Sequence, residues 1–192
     1  MQQEIIEDKV FDNLSFKRSK LKAALYENCS FVSCDFENSD LAEFKFTDCT
    51  FTGCNLSLAS LGNTAFRNVQ FNGSKLMGVN FENCSKLGFS VGFNDCILDN
   101  TAFTGLNLKN TVFTNCRMFN ADFTSAEMEN SVFNNCDLKG AVFFKTGLKK
   151  ADLTTSVNYI IDPELNRISK AKFSLTGIPG LLAKYDLKIE FK

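Results

Sequence analysis

The sequence of 192 residues contains no histidine and no tryptophan, and it has only two prolines. Histidine is the commonest general base and the commonest metal ligand, so its absence counts against both a catalytic and a metal-binding protein. No apolar run approaches the ~18 residues of a membrane span, and the acidic start, residues 1–8, does not have the pattern of a signal peptide. We therefore expect a cytoplasmic protein that has no cofactor and keeps its thiols reduced.

The chain is instead rich in phenylalanine, with 21 residues, and in cysteine, with eight. Hydrophobic residues make up 44% and charged residues 22%, which is typical of a folded, soluble protein. The net charge of −1 provides no bulk attraction to polyanions or to membranes. We expect neither nucleic acid nor a membrane as a direct partner, and we expect a protein partner.

Large apolar residues recur every five positions over most of the chain. From Phe11 every fifth residue up to Phe81 is large and apolar, and after a shift of two residues the series continues from Phe93 to Leu153. A helix repeats every 3.6 residues and a strand every two, so neither produces this pattern. The residue two places before each central residue is usually small, which predicts one large and one small inward side chain in every five-residue unit.

A second period of 20 residues is superimposed on the first, so four units form one turn of a coil. Successive turns are expected to stack at ~4.8 Å, the spacing of parallel strands, and to coil in the right-handed sense. The same period predicts ladders of stacked core side chains, one formed by Phe11, Phe31, Phe51 and Phe71 and another, beyond the phase shift, by Phe93, Phe113 and Phe133.

This pattern resembles the pentapeptide-repeat family, whose unit is written Ala-(Asp/Asn)-Leu-x-x. Residues 121–125, Ala-Asp-Phe-Thr-Ser, and residues 151–155, Ala-Asp-Leu-Thr-Thr, match this unit closely. The resemblance implies an all-β fold, a right-handed quadrilateral β-helix. We assign residues 1–158 to the β-helix, residues 159–175 to an irregular final coil, and residues 176–192 to a C-terminal cap and dimerisation segment.

Several positions depart from the repeat. The phase shift falls within residues 82–92, where we interpret Leu87 as the inward residue of a bulged side. Two interpretations of this bulge are open: a tolerated irregularity, or a kink that changes the orientation of the two halves of the solenoid. Leu14, Phe44 and Leu106 stand where small residues are the rule, so we expect local widening or strain there.

The last residues predict a cap on the open end of the solenoid. Residues 177–185 are expected to form a short helix, and the alternation in residues 186–191 predicts a strand. The tail is similar to the C-terminal dimerisation segment of the Qnr and MfpA subgroup. That resemblance implies a homodimer, the alternative being a monomeric cap, with contacts from Leu181, Leu182, Tyr185, Leu187 and Ile189.

The eight cysteines occupy the small inward positions, with Cys84 ambiguous because of the bulge. We interpret them as compact apolar fillers of the core. Zinc binding by Cys29, Cys34, Cys49 and Cys54 is the alternative, but these residues lack the Cys-x-x-Cys spacing of common zinc sites. Disulfide pairing is a second alternative.

Charge and outward aromatic residues mark the candidate contact surfaces. Residues 1–66 carry ten acids and six bases, whereas residues 137–192 carry six acids and ten bases. Phe119 and Phe144 occupy normally polar outward positions and are candidate contacts. The candidate acidic partner surface, with Lys45 as its one base, consists of Glu27, Asp35, Glu37, Asp40, Glu43 and Asp48.

The resemblance to Qnr and MfpA implies a partner of DNA gyrase or topoisomerase IV that acts by partial DNA mimicry and protects against quinolones. The chain lacks the projecting loops of Qnr proteins and in this respect is similar to the loopless MfpA type. About seven and a half coils span ~36 Å, a length in which DNA carries ~21 charges. Mimicry is therefore expected only around residues 27–48. The alternative is a scaffold or regulatory module that binds an unrelated protein, and no catalytic set of residues indicates an enzyme.

Overall fold

The computed structural model describes residues 4–16 and 21–190. The chain winds into a four-sided solenoid, and consecutive five-residue units form consecutive sides. We name each side by one of its central residues: the Tyr26, Phe31, Phe36 and Leu41 faces. Every inter-coil pairing is parallel and joins residues 20 apart, or 22 apart where the two halves meet.

Within the described residues, short strands lie on two of the faces. Four strands form a sheet on the Tyr26 face: β1 (Ile5–Glu7), β3 (Leu25–Glu27), β5 (Lys45–Thr47) and β7 (Ala65–Arg67). Seven strands form a longer sheet on the Phe31 face: β2 (Val10–Asp12), β4 (Ser30–Val32), β6 (Thr50–Thr52), β8 (Val69–Asn72), β9 (Val91–Asn94), β10 (Val112–Thr114) and β11 (Val132–Asn134). The Phe36 and Leu41 faces are held by single parallel bridges and by one 3-10 turn at Phe81–Asn83.

The core is a set of stacked side chains along the axis of the solenoid. On the Phe31 face the rings from Phe31 to Phe133 stack with centroids 4.7 to 5.3 Å apart. Rings on neighbouring faces meet edge to face, as Phe113 and Phe123 do at 6.2 Å. Stacked and edge-to-face pairs both stabilise a core beyond simple burial. The 20-residue period therefore places like side chains above one another.

Asparagine marks the corners between faces. The last residue of most units has a positive φ, for example 50° at Asn28 and 52° at Asn68. Asparagine, aspartate and glycine adopt this left-handed conformation most readily. Corner side chains also bond between coils, as Asn68 Nδ2 donates to Asp48 Oδ1 at 2.6 Å. The outward polar positions of the repeat thus have a structural role.

The interpretation of Leu87 as an inward residue is wrong. Leu87 is 76% exposed, and its place in the core is taken by Phe89. The Phe89 ring lies 6.4 Å from the ring of Phe66 and 6.2 Å from that of Phe81. An aromatic side chain two residues further on fills the axis better than leucine, so the chain reaches inward there and leaves Leu87 in an exposed turn.

Two extra residues are absorbed on a single side of one coil. The Ser85 N–H still donates to the Thr64 carbonyl at 2.9 Å, and the Ser90 N–H donates to the Phe66 carbonyl at 3.0 Å. The insertion therefore lies between positions 85 and 90. Beyond it, β8 and β9 pair over four residues and the rings of their phenylalanines stack at 5.3 Å. The core column passes the insertion without interruption.

The exceptions to the small inward position are accommodated in different ways. Phe44 and Leu106 are buried, and Phe44 stacks on Tyr26 at 6.0 Å. Leu14, in the first coil, is 42% exposed. A large side chain is thus tolerated where a neighbouring ring offers a flat surface, and it turns outward near the end of the solenoid.

The C-terminal end is covered by short helical turns. They comprise a 3-10 turn at Leu175–Gly177, helix α1 (Pro179–Leu182) and a 3-10 turn at Ala183–Tyr185, so the helical segment expected there is present in a broken form. The predicted strand is wrong for residues 186–190, which belong to no strand. Alternation of polar and apolar residues is not sufficient, because a strand also needs an edge to pair with. The rest of that prediction, at residue 191, lies outside the described residues.

Candidate functional site

The six acids of the candidate partner surface form a belt around the solenoid. Glu27 and Asp48 project from the Tyr26 face, and Asp35 and Glu37 project from the Phe36 face. Asp40 and Glu43 project from the Leu41 face. The Phe31 face carries none of them. Five of the six belong to one coil, residues 24–43, which contains no lysine or arginine. The belt therefore concentrates negative charge along a short length of the axis.

Some of these carboxylates also hold the local backbone. The Glu37 N–H donates to Asp35 Oδ1 at 3.1 Å, and the Ala42 N–H donates to Asp40 Oδ1 at 3.0 Å. Such turns are typical of aspartate at the start of a tight bend. An asparagine can make the same bond, so charge and turn geometry can be separated by mutation at these positions.

The two outward aromatic residues lie in different surroundings. Phe119 on the Phe36 face is partly covered by Arg117, whose guanidinium carbon lies 5.3 Å from the ring centroid. Phe144 on the Leu41 face is 40% exposed, with the Lys145 Nζ atom 5.2 Å from its ring centroid. Phe144 is therefore the more accessible of the two candidate contacts.

An ion pair between a buried carboxylate and an exposed arginine lies next to Phe119, and the repeat pattern gave no indication of it. Arg117 donates three hydrogen bonds to the carboxylate of Asp99, the shortest at 2.6 Å, and the Phe119 N–H donates to the same carboxylate at 3.2 Å. Asp99 is buried although it occupies an outward position. A bidentate arginine compensates for the burial of its charge. The pair thus contacts Phe119 twice, through its backbone N–H and through its ring.

The cysteines do more than fill space. Seven of the eight thiols donate weak hydrogen bonds to carbonyl groups of the preceding coil, such as Cys54 Sγ to the Phe31 carbonyl at 3.3 Å. Thr64 and Ser74 make the same contact with shorter bonds of 2.8 and 3.1 Å. Burial raises the pKa of the Cys49 thiol to about 11 and that of Cys54 to about 12. These thiols are accordingly protonated and unreactive at neutral pH.

The C-terminal cap is fastened by a lysine clasp. Lys184 Nζ lies 2.9 Å from Asp162 Oδ1 and 2.6 Å from Glu164 Oε2, and the Tyr185 hydroxyl donates to Glu164 at 3.0 Å. Hydrogen bonds from Lys184 lower the pKa of both carboxyl groups. The cap thus bonds to the loop 162–164 of the final coil.

Close packing of glycine on Tyr159 completes the cap. Tyr159 is buried, and a Cβ atom on Gly180 would overlap its carbonyl oxygen. The Gly180 carbonyl also accepts a hydrogen bond from the Ile161 N–H at 3.1 Å. The cap can approach the last coil this closely only because position 180 has no side chain.

The five candidate dimer residues divide into two groups. Leu181 and Leu182 are half-buried, Leu181 packs on the core of its own chain, and Tyr185 bonds to Glu164. Tyr185 is nevertheless 52% exposed, and Leu187 and Ile189, for which no bond to the rest of the described chain is seen, are 57% and 40% exposed. The structure therefore leaves Leu187 and Ile189 available for contact with a second chain.

The described residues form no cluster suited to a metal ion and no membrane-spanning helix. Over residues 4–16 and 21–190, no three histidine, cysteine, aspartate or glutamate side chains converge on a position suited to a metal ion. Over the same residues, every helix is too short to cross a bilayer.

These features define the class of protein: a parallel β-solenoid with four flat faces and a capped C-terminal end. A family model described as a pentapeptide repeat region matches residues 24–86 and 89–157. The chain therefore belongs to the pentapeptide repeat family. The two residues between the matched segments, Leu87 and Gly88, form the exposed turn of the insertion.

Solved structures of QnrB1 show the same fold at low identity. Two trypsin-treated variants of QnrB1, a plasmid-mediated fluoroquinolone resistance protein, are each 17% identical to this chain. The matches cover 97% and 96% of this chain and 100% and 99% of the others, with TM-scores of 0.63 and 0.64. HetL of the cyanobacterium Nostoc, involved in regulating heterocyst differentiation, is 15% identical over 88% of this chain and 86% of its own, with a TM-score of 0.45. No curated protein sequence matches the chain.

Proposed function

We propose that this chain is a non-catalytic binding protein that engages DNA gyrase or topoisomerase IV through its acidic belt and protects the enzyme from quinolones. Support comes from a fold shared with a fluoroquinolone resistance protein over nearly the whole chain. The observation that carries the proposal is the charge of the coil formed by residues 24–43, which holds five carboxylates and no base.

The belt reaches the charge density of DNA only locally. One coil rises ~4.8 Å along the axis, and B-DNA of that length carries about three phosphates. The five carboxylates of residues 24–43 exceed this number, whereas the whole chain has a net charge of −1. The partner is therefore expected to use a compact cationic site rather than a long DNA-binding track.

The test uses substitutions that remove charge and keep the turns. Asp35→Asn, Glu37→Gln and Asp40→Asn neutralise three acids, and asparagine still accepts the bonds that Asp35 and Asp40 accept. We expect the triple variant to lose its effect on gyrase supercoiling and on quinolone-induced DNA cleavage. Electrostatic contacts govern association and weaken with salt, so the wild-type effect should also fall as ionic strength rises.

A matched control lies in the second half of the chain. Asp122→Asn, Glu129→Gln and Asp137→Asn remove the same charge, and Asp122 and Asp137 accept the same kind of turn bond, at 2.8 and 3.2 Å. This variant should behave as the wild type. A wild-type protein without effect on gyrase, or equal losses in both variants, would disprove the role of the belt.

A second candidate function is a regulatory or scaffold module for an unrelated protein. Phe144 favours it, because an exposed aromatic ring far from the acidic belt is a typical interface anchor. Phe144→Ser should weaken binding to such a partner, which a pull-down that compares this variant with the wild type can measure. The same variant should leave any effect on gyrase supercoiling unchanged.

We also propose that the C-terminal tail forms a homodimer contact. Leu187 and Ile189 are exposed on an extended segment without a strand partner among the described residues. Leu187→Asp with Ile189→Asp should halve the mass measured by light scattering, because buried carboxylates oppose association. A variant with the wild-type mass would show that these residues form no dimer contact.

A further inference from the structure

The two ends of the solenoid differ. The C-terminal end is covered by the helical turns and the lysine clasp, with Leu181 packed on the core. At the N-terminal end, β1 and β2 are the outermost strands of their sheets among the described residues. Natural solenoids cover such ends, because an open end exposes both backbone groups and core side chains.

Hydrogen-bond register identifies the backbone groups of this end that have no partner among residues 4–16 and 21–190. In the second coil, the Leu25 and Ser30 N–H groups donate to carbonyls of the first coil, at 3.0 and 2.8 Å. The equivalent donors in the first coil are the N–H groups of Ile5 and Val10, and they point to the side where no described coil lies. The carbonyls of Glu7 and Asp12 are the equivalent acceptors.

The same edge exposes apolar surface. Both strands are more exposed than the strands stacked on them, β3 and β4. Ile5 is 55% and Val10 71% exposed, and Phe11 is only half-buried although its neighbour Phe31 is fully buried. A strand added here would bury the Phe11 ring and complete the hydrogen bonds of the edge.

Charge selects among possible strands. The stretch from residue 4 to residue 12 carries four acids and one base, Lys9. Glu4 pairs with Lys22 at 3.4 Å and Asp8 accepts a hydrogen bond from Asn28 at 2.6 Å, so Glu7 and Asp12 are the acids of the two edge strands that an added strand would meet. Two identical edges would bring these carboxylates together, so a second copy of the same edge is disfavoured. A strand with lysine or arginine beside Glu7 or Asp12 is favoured.

We propose that the N-terminal edge binds an extended segment of a partner protein with the local pattern apolar, large apolar, basic. In register with β2, its first residue lies beside Val10, its second covers the Phe11 ring and its third pairs with Asp12. Main-chain hydrogen bonds hold the segment, as in other cases of strand addition to a sheet edge. This edge lies at the opposite end from the cap, so dimerisation through the tail leaves it free.

The probe is a synthetic peptide, acetyl-Ser-Val-Phe-Lys-Asn-amide, titrated into the full-length, 15N-labelled protein. We expect saturable chemical-shift changes centred on residues 5–12. The same peptide with glutamate in place of lysine should bind at least about tenfold more weakly, since the charge then faces the acids of the edge.

Two protein variants test the two parts of the site separately. Val10→Pro removes one edge N–H and is tolerated at the start of an edge strand, whereas Glu7→Lys with Asp12→Lys reverses the charge. Each should weaken binding of the lysine peptide about tenfold or more, and the charge variant should prefer the glutamate peptide. Asp122→Lys, on the Leu41 face, is the matched control and should bind as the wild type does.

Several outcomes would overturn the proposal. They are the absence of saturable changes, changes centred on the cap, binding that survives both variants, or an increase in protein mass showing that a second copy occupies the edge. The titration contains no topoisomerase, so its failure and a failure of the gyrase assay are distinguishable.

Discussion

Removing one ring from the middle of the core column should cost far more stability than removing one from its end. Phe113 is fully buried and stacks on Phe93 and Phe133, with centroids 5.3 and 4.9 Å away. It also meets Phe103 and Phe123 edge to face, at 6.1 and 6.2 Å. A buried phenylalanine replaced by alanine costs about 3–5 kcal/mol. With four ring partners, Phe113→Ala should lie at the upper end of that range.

The end of the column provides the comparison. Phe11 is half-buried and contacts two rings, stacking on Phe31 at 4.8 Å and meeting Tyr26 edge to face at 6.0 Å. Phe11→Ala therefore loses about half the contacts and less buried area, and we expect a cost of about 2 kcal/mol. Phe113→Leu keeps most of the apolar volume and loses the ring pairs, so about 1–2 kcal/mol is expected.

The free energies of unfolding are to be measured by urea denaturation monitored by circular dichroism. Thr114→Ala, an outward change beside Phe113, is the control and should stay within about 0.5 kcal/mol of the wild type. A solenoid transmits stability through contacts between neighbouring coils, so the middle variant should also unfold in a broader transition. Equal costs for Phe11→Ala and Phe113→Ala would refute the view that ring stacking along the column holds the coils together.

Three further predictions concern the thiols and the cap. Burial raises the pKa of the Cys54 thiol to about 12, so this thiol should react with a disulfide reagent only at the rate of unfolding. Spectrophotometry measures the reaction rate, and fast reaction of the native protein would contradict the buried position of Cys54. Gly180→Ala should detach the cap from Tyr159 and expose it to proteolysis, whereas resistance equal to the wild type would show that the packing is not needed. Lys184 lowers the pKa of Glu164, so the contribution of Glu164 to the stability of the cap is present above the pKa of the unfolded state and should be lost as the pH falls through the pKa of the folded state. Amide hydrogen exchange of residues 175–185 measures this loss, and unchanged protection in acid would disprove the clasp.

Much of the fold could be predicted because most units obey the same rule. A central apolar residue every five positions admits only one arrangement in which all of them are inward, and the 20-residue period sets which ones stack. The acidic belt follows from the same register, because each outward position belongs to a known face. The departures from the repeat could not be predicted in this way. Leu87 and Phe89 both satisfy an apolar pattern, and the choice between them depends on which side chain fills the space beside Phe66 and Phe81.

The contacts between distant residues required the tertiary structure. Arg117 and Asp99 are 18 positions apart, and Lys184 and Asp162 are 22 apart, so neither pair follows the period of the repeat. The strand expected at residues 186–190 is absent for a similar reason. Alternation of polar and apolar residues describes the two faces of a strand, but it does not provide the neighbouring strand with which to pair.

The amino-acid sequence by itself determined the four-sided solenoid, its core column and the place of its acids, because these depend on a period that the chain repeats many times. The tertiary structure alone decided where the insertion turns outward and how the cap is fastened. Those features depend on single side chains that compete for one space or one charge, and no periodic pattern encodes the outcome of such a competition.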